Sequence, residues 1–277
     1  MHVGIIGTGT MGKGIAQVFA ECEGFEVFLC GRTTGSAEKA IQNIKAGLNK
    51  RVAKGKISAE EVLKAMERIH AGDWSAANDC DLIIESVPED FEIKVDALKK
   101  IIALADNARV VTNTSSLSLL ELQKAVDYPL VGMHFFNPAP VMKLVEVVHT
   151  EKNQDDEVEQ VKAIAELIGK SPIVVKDNPG IIVNRLLITM INEAVLQYEA
   201  GVASAQDIDT AMKLGANYPM GPLELADYIG IDVVLAIMRS IQQQTGNDKY
   251  KPAALLPKMV EKNKLGRKTG QGFFVYD

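Results

Sequence analysis

Short β-rich runs alternate with amphipathic stretches over the first two-thirds of the chain. The runs predicted as strands are Val3–Ile6, Glu26–Cys30, Leu82–Ser86, Val110–Thr112 and Leu130–Phe135. Apolar residues recur at helical spacing between them, in Met11–Cys22, Ala37–Val52 and Phe91–Leu104. Such alternation with short connections is typical of a parallel, doubly wound sheet. Two further strands, Leu144–Val148 and Ile173–Val175, flank a helix near Glu157–Ile168.

The pattern changes at Asp177-Asn178-Pro179-Gly180, a run of turn-forming residues. The segments after it are helical in pattern: Ile182–Glu199, Ala205–Leu214, Val233–Gln244 and Leu255–Lys262. The sequence therefore predicts an α/β domain over residues 1–180 and an all-helical domain over residues 181–277. The helices are apolar over wide faces, which favours burial against a partner chain.

Composition narrows the class of protein. The 277 residues are 47% hydrophobic and 24% charged, as in an ordinary globular protein, and the net charge of −6 argues against nucleic acid as the main partner. Cys22, Cys30 and Cys80 have no metal-ligand spacing, so we expect no metal site and a reducing cytoplasm. The N-terminus begins as a strand and no apolar stretch reaches about 18 residues, so neither a targeting peptide nor a membrane span is predicted.

A glycine motif joins the first predicted strand to the first predicted helix: Gly7-Thr8-Gly9-Thr10-Met11-Gly12. Gly7 permits the tight turn, Gly9 lets a pyrophosphate approach the backbone, and Gly12 lets helix and strand pack closely. The helix N-terminus offers N–H groups and a positive dipole end to phosphates. In this context the motif predicts a Rossmann-type dinucleotide site. The alternative is a glycine-rich turn that only packs a helix on a strand.

The stretch EVFLCGRTTGS, residues 26–36, lacks the acid that such a site usually directs at the adenosine ribose. Gly31 stands in its place, which removes repulsion of a 2′-phosphate and makes room for it, and Arg32 offers a charged fork. Thr33, Thr34 and Ser36 add hydroxyl donors. These residues predict NAD(P) as cofactor with a preference for NADP. The alternative is a surface loop in which Arg32 is solvated.

A histidine and a glutamate are spaced symmetrically about a turn. In VGMHFFNPAPVMKLVEVV, residues 131–148, two β-rich runs flank a proline-rich loop. If they fold back about Pro140, His134 lies across from Glu146. The carboxylate would then fix the imidazole tautomer and stabilise imidazolium, as a general base requires. The alternative is a half-buried histidine satisfied by a backbone carbonyl.

Several long motifs together resemble the 3-hydroxyacyl-CoA dehydrogenase family. They span essentially the whole chain: GTGTMGKGIAQ, NTSSLS, GMHFFNPAPVMKLVEVV, NPGIIVNRLL, AMKLGANYPMGPLEL and GRKTGQGFF. The resemblance implies that His134 is the base and Glu146 its orienting partner. It also implies that Ser115 and Asn184 hydrogen-bond the substrate.

The resemblance extends to residues that bind the cofactor and the substrate tail. It implies cofactor contacts at Glu89, Lys94, Ser115, Asn137 and Lys268. CoA would contact basic side chains after the second strand, where NKRVAKGK contains Lys50 and Lys54, four residues apart on one helix face. A solvated charged face is the alternative there.

The expected protein is a cytoplasmic homodimer, joined through its helical domain, that interconverts acetoacetyl-CoA and 3-hydroxybutyryl-CoA with NAD(P)H. In reduction it would serve butyrate or polyester synthesis, and in oxidation fatty-acid breakdown. One rival is a dehydrogenase of free 3-hydroxy acids, which generally uses a catalytic lysine. The other is a catalytically silent dinucleotide-binding or structural protein.

Overall fold

The structure, a computed structural model, describes residues 1–105 and 108–276 of the chain. It divides into two units, Met1–Asp177 and Asn178–Asp277. The last residue of the predicted helical domain, 277, lies outside the described residues.

The first unit contains the strands and the helices that alternate with them. Its strands are β1 His2–Ile6, β2 Glu26–Cys30, β3 Ile69–Gly72, β4 Leu82–Glu85, β5 Arg109–Thr112, β6 Val131–Phe135, β7 Leu144–His149 and β8 Ser171–Lys176. Its helices are α1 Thr10–Glu21, α2 Thr34–Ala53, α3 Ala59–Glu67, α4 Phe91–Leu104, α5 Leu119–Val126 and α6 Asp155–Leu167.

The strands form one sheet in the order β3-β2-β1-β4-β5-β6-β7-β8. All neighbouring pairs are parallel except β6 with β7. The order 3-2-1-4-5-6 is that of dinucleotide-binding sheets, so the predicted Rossmann-type fold is confirmed. The β6–β7 pairing sets His134 opposite Glu146, the pairing that symmetry about Pro140 predicts.

The second unit is helical, as predicted. Its helices are α7 Val183–Glu199, α8 Ala205–Gly215, α9 Pro222–Ile229, α10 Ile231–Thr245 and α11 Leu255–Glu261. Its own apolar core is formed by residues such as Ile191, Leu223, Val234 and Met238, each 0% exposed. In the described ranges, no helix has the length and apolar character needed to span a bilayer.

Among the strands and α-helices of the described residues, four have no counterpart in the predicted pattern: β3, α3, α5 and α9. Strand β3 reads IHAG, too short to give a period-two signal, and it forms by pairing along β2. Helix α3 carries a capping box between Ser58 and Glu61, a local start signal that the prediction overlooked. Helix α9 begins with Gly221-Pro222, which reads as a turn although proline suits a first helical turn.

Candidate active site

The glycine loop fits a dinucleotide at each of its glycines. Gly7 has φ of +126°, and a Cβ there would collide with the carbonyl oxygen of Ser86. A Cβ at Gly12 would collide with the carbonyl oxygen of Gly7, so α1 packs directly on the loop. A Cβ at Gly9, by contrast, would meet no atom within 4 Å. The backbone is therefore open at Gly9, beside the N-terminus of α1, where a pyrophosphate is bound in this class of site.

The end of β2 lies next to the glycine loop but leaves no room at Gly31. The N–H of Gly7 donates to the Cys30 carbonyl at 2.9 Å. A Cβ on Gly31 would collide with Ser36 Oγ and would lie 2.9 Å from the Thr33 carbonyl oxygen. The expectation that glycine makes room here is wrong, because the hydroxyl of Ser36 occupies that space. Arg32, Thr33 and Thr34 are exposed beside it at the N-terminus of α2.

Cys30 has a thiol that is buried and unreactive. It is 0% exposed, and burial raises the pKa of its thiol to about 12. The thiolate is the reactive form of cysteine, so this side chain acts as a small apolar group.

His134 and Glu146 form a buried pair on the antiparallel strands β6 and β7. His134 Nδ1 lies 2.7 Å from Glu146 Oε2, and the two side chains are 6% and 0% exposed. A carboxylate can only accept here, so Nδ1 carries the proton and Nε2 is the nitrogen that can exchange a proton with another group. The ring also contacts Phe136, with centroids 4.5 Å apart. These contacts fix both the orientation and the tautomer of the imidazole.

The carboxylate of Glu89 accepts hydrogen bonds from the loop that follows β5. Its Oε1 accepts from the N–H groups of Ser115 and Ser116, both at 2.7 Å. The hydroxyls of Thr114, Ser115 and Ser116 donate to the same oxygen at 2.8, 3.2 and 3.1 Å. Burial alone would raise the pKa of Glu89, but the Lys94 ammonium and these donors hold it below its ordinary value. The carboxylate therefore fixes the position of Ser115 in the first unit.

Asn113 links the same loop to the strand that carries His134. Its Oδ1 accepts from the Phe135 N–H at 3.0 Å, and its Nδ2 donates to Ser86 Oγ at 3.4 Å. The carboxyl ends of β4, β5 and β6 are thereby joined by one amide. Asn113 is the first residue of NTSSLS, but its position in the motif predicts no role for the amide.

Lys94 lies behind Glu89. It is 0% exposed and pairs with Glu85, a residue that the sequence analysis missed because a strand-end glutamate in LIIE gives no chemical signal.

The loop after β6 contains Asn137, which is exposed. Lys170 holds this loop by donating to the carbonyls of Ala139 at 2.6 Å and Met142 at 2.9 Å. Helix α1 packs closely on it, since a Cβ on Gly14 would lie 3.1 Å from the Ala139 Cβ. A cavity of about 220 Å³ adjoins the loop, lined by Thr10, Lys13, Gly14, Gln17, Asn43, Ile44 and Asn137 to Pro140.

The remaining predicted residues occupy surfaces. Lys50 lies in the last turn of α2 and Lys54 caps it, both exposed. In the helical unit, Asn184 is half-buried in the first turn of α7. Lys268 follows a turn at Gly266 and donates to both carboxylate oxygens of Asp232, at 2.5 and 2.6 Å. Over residues 1–105 and 108–276, no group of three His, Cys, Asp or Glu side chains is arranged to hold a metal ion.

Two family models match consecutive parts of the chain. The model described as "3-hydroxyacyl-CoA dehydrogenase, NAD binding domain" matches residues 2–178. The model described as "3-hydroxyacyl-CoA dehydrogenase, C-terminal domain" matches residues 180–276. The chain belongs to the 3-hydroxyacyl-CoA dehydrogenase family. It is accordingly an oxidoreductase, and its first unit corresponds to the NAD binding domain of the family, which indicates NAD(H) as the cofactor.

Similarity to individual members extends over the full length. The chain is 45% identical to a 3-hydroxybutyryl-CoA dehydrogenase of Clostridioides difficile, over 100% of both sequences. It is 40% identical to the mitochondrial hydroxyacyl-coenzyme A dehydrogenase of Homo sapiens, covering 99% of the chain and 91% of that protein. A crystal structure of an (S)-3-hydroxybutyryl-CoA dehydrogenase from Ralstonia eutropha aligns with a TM-score of 0.94 at 39% identity, over 100% of the chain and 99% of that structure. The family resemblance inferred from the motifs is thus confirmed.

Proposed function

We propose that the chain is a 3-hydroxybutyryl-CoA dehydrogenase that interconverts acetoacetyl-CoA and 3-hydroxybutyryl-CoA. The observation that carries this proposal is the buried His134–Glu146 pair, with Nδ1 and Oε2 2.7 Å apart. A histidine held this way can take a proton from an alcohol and return it. Full-length relatives named for this activity support the choice of a four-carbon acyl-CoA.

His134 moves the proton of the reaction. A bound nicotinamide supplies the acceptor or donor of the hydride at C3 of the substrate. In oxidation, Nε2 of His134 takes the hydroxyl proton as the C3–H bond breaks and the C3 carbonyl forms. In reduction, imidazolium donates that proton to the oxygen at C3. Glu146 stabilises the imidazolium in both directions, because its carboxylate lies against Nδ1.

Ser115 and Asn184 complete the proposed substrate contacts. Ser115 would donate from its hydroxyl to the oxygen at C3 or to the thioester, and Asn184 from its amide. Glu89, Lys94, Ser115, Asn137 and Lys268 remain our proposed cofactor contacts.

The CoA portion of the substrate requires cations for its phosphates. Lys50 and Lys54 are our proposed contacts, and their exposure beside the end of α2 leaves their ammonium groups accessible. Lys13 is a further candidate, since it is the cation lining the cavity beside the Asn137 loop.

The preferred cofactor is proposed to be NADP. Exposed Arg32 at the N-terminus of α2 supports binding of a 2′-phosphate, and the absence of an acid at Gly31 removes repulsion. Ser36 Oγ beside Gly31 is compatible with either cofactor, since a hydroxyl can accept from a ribose hydroxyl or donate to a phosphate. Arg32 is therefore the discriminating residue.

Assembly and location remain part of the proposal. We infer a cytoplasmic homodimer, with residues 1–180 binding the dinucleotide and residues 181–277 binding substrate and the second copy. Butyrate or polyester synthesis, or fatty-acid breakdown, are the metabolic routes that this reaction fits.

The function is tested by following oxidation of NADH and NADPH with acetoacetyl-CoA as substrate. Free acetoacetate serves as the alternative substrate. We expect turnover with the thioester only. Turnover of acetoacetate alone would favour a dehydrogenase of free acids, and no turnover with either substrate would favour a catalytically silent protein.

Cofactor preference is tested by kcat/KM with NADH and NADPH measured side by side in the wild type and in Arg32→Ala. We expect NADPH to be preferred, and Arg32→Ala to lower kcat/KM for NADPH about tenfold or more with little effect on NADH. Lys99→Ala, which removes an exposed cation from α4, controls for net charge. A clear wild-type preference for NADH, with NADPH use unchanged in Arg32→Ala, would refute the phosphate contact. Gly31→Asp is a poorer probe, because its side chain collides with Ser36 Oγ.

A further inference from the structure

A second buried ion pair lies at the carboxyl end of β4, apart from His134 and Glu146. Lys94 Nζ is 2.8 and 3.0 Å from the two carboxylate oxygens of Glu85, and both side chains are 0% exposed. Removing two charges from water offsets much of their attraction, so such a pair is weak evidence for a gain in stability. Its geometry instead connects it to residues 113–118, the loop that follows β5, which we call the Ser115 loop.

The carboxylate of Glu85 also accepts two hydrogen bonds from neighbouring groups. Its Oε1 accepts from the Val87 N–H at 2.7 Å, and its Oε2 accepts from the Thr112 hydroxyl at 2.5 Å. Lys94 also donates to the carbonyl of Asn113 at 3.4 Å. The ammonium is thus anchored between the ends of two neighbouring parallel strands, β4 and β5.

The same ammonium reaches the carboxylate that holds the Ser115 loop. Lys94 Nζ lies 3.4 Å from Glu89 Oε2. The other oxygen of Glu89 accepts from the backbone and hydroxyl groups of Thr114, Ser115 and Ser116. One carboxylate is therefore bound by Lys94 on one side and by the loop on the other.

We propose that Glu85 and Lys94 are positioning residues for the Ser115 loop. Glu85 neutralises and orients Lys94, Lys94 anchors Glu89, and Glu89 holds Ser115 at the position from which it contacts the substrate. Lys94 acts on the loop through Glu89, because the carboxylate of Glu89 lies between the buried ammonium and the loop. This inference rests on the proposed function for the role of Ser115.

The test uses the paired variant Glu85→Gln with Lys94→Met. Lys94→Met alone leaves the carboxylates of Glu85 and Glu89 with no cation, whereas the paired variant leaves the net charge of the site unchanged and its volume similar. A purely structural ion pair would be replaced without loss of function. Replacing a positioning pair would lower activity, because Glu89 loses its ion pair with Lys94 even when the fold is retained.

Amide hydrogen exchange in the absence of ligands is the direct measurement. The N–H groups of Ser115 and Ser116 are protected by Glu89, so exchange in the peptide covering residues 113–118 should accelerate about tenfold in the paired variant. Gln123→Leu is the control. It removes a buried amide that donates to the Leu130 carbonyl at 2.7 Å, so it should lower Tm while leaving exchange in 113–118 unchanged.

Kinetics give the second measurement. We expect the paired variant to lower kcat/KM for acetoacetyl-CoA about 10- to 100-fold, as a displaced contact group would. Added to Ser115→Ala, it should cause little further loss, because both changes remove the same contact. Glu85→Gln/Lys94→Met with wild-type exchange in 113–118, or losses that multiply with Ser115→Ala, would overturn the proposal. Exchange needs no substrate, so it decides the question even if the wild type does not turn over acetoacetyl-CoA.

Discussion

Two histidine–glutamate pairs in this chain have similar contact distances and different surroundings. His134 Nδ1 lies 2.7 Å from Glu146, and both side chains are buried. His70 Nε2 lies 2.8 Å from Glu26, but those side chains are 46% and 45% exposed. Water screens the second pair, whereas the first keeps its full electrostatic effect. Burial, rather than distance, therefore separates the proposed base from an ordinary surface contact.

The exposed pair provides a matched control for catalysis. We predict that His134→Ala lowers kcat by about 10²–10⁴-fold, the usual contribution of a general acid or base. Cofactor affinity should be retained, because the glycine loop does not depend on the imidazole. His70→Ala should leave kcat near the wild-type value. Steady-state kinetics with acetoacetyl-CoA and cofactor titration check both, and a near-wild-type kcat in His134→Ala would refute the assigned base.

The carboxylate of Glu89 makes the free energy of unfolding depend on pH. Its pKa is held below the ordinary value when folded, so its stabilising contribution is fully present above the unfolded-state pKa. That contribution is lost as the pH falls through the depressed folded-state pKa. We predict that Glu89→Gln, which has no carboxylate to protonate, loses less stability than the wild type over this acid range.

Urea unfolding at a series of pH values, from neutral into the acid range, measures the effect of Glu89→Gln. Glu92→Gln removes an exposed carboxylate from the first turn of α4, three residues after Glu89, and controls for the loss of one negative charge. Parallel pH dependences for the wild type and Glu89→Gln would contradict the prediction.

At the scale of elements, the junction between β1 and α1 depends on the absence of a side chain at Gly12. A Cβ there collides with the Gly7 carbonyl, so Gly12→Ala should displace the loop, lower stability by roughly 1–3 kcal/mol and weaken cofactor binding. Gly47→Ala is the matched control. It lies within α2 with no atom within 4 Å of the new Cβ, and should stabilise by about 0.5–1 kcal/mol. Thermal unfolding and cofactor titration measure both, and equal effects would contradict the packing argument.

One buried carboxylate, that of Asp227, binds the C-terminal segment of the helical unit through hydrogen bonds. Asp227 accepts from the N–H groups of Phe273 and Phe274, each at 2.9 Å, and from the Tyr276 hydroxyl at 3.0 Å. Oδ1 accepts from one of these N–H groups and Oδ2 from the other. An asparagine could accept from only one of them, because its side-chain nitrogen is a donor. The segment following Lys268 is thereby fixed on α9.

We predict that Asp227→Asn destabilises the helical unit by about 1–3 kcal/mol, because one N–H is left facing an NH₂ group. Asp248→Asn, at an exposed position, is the control. Urea unfolding compares the two variants, and an unchanged midpoint for Asp227→Asn would refute the anchoring role.

At the scale of the whole molecule, the helical unit carries many exposed apolar side chains. Leu214 is 83% exposed, Leu186 69% and Val202 67%. Such exposure favours burial against a second copy of the chain, in agreement with the proposed homodimer.

We predict that Val202→Glu combined with Leu214→Glu shifts the chain from dimer to monomer. Leu167→Glu, at a position 68% exposed on the dinucleotide-binding unit, should leave the assembly unchanged. Sedimentation velocity measures the mass of each variant. A monomeric wild type, or a dimer unaffected by the paired substitution, would refute an interface that includes these residues.

The elements whose signals are local were predictable from the sequence. The glycine loop, the long amphipathic helices and the turn about Pro140 depend on residues close together in the chain, so their spacing predicts α1, the β6–β7 hairpin and the opposition of His134 and Glu146. The family resemblance added the expected role of Ser115. Short elements such as β3 were missed, because they are stabilised by strand pairing rather than by their own pattern.

Only the tertiary structure brings together side chains from separate strand ends. The parallel sheet aligns the carboxyl ends of β4 and β5, so Glu85, Lys94 and Glu89 meet the Ser115 loop although no local pattern relates them. The space beside Gly31, by contrast, is filled by a local turn at the start of α2, in which Ser36 Oγ donates to the Thr33 carbonyl at 2.7 Å. The sequence determined which residues can carry the chemistry, because residue type and local spacing are written in it. Packing decided which of them touch, because contacts between distant residues depend on the fold.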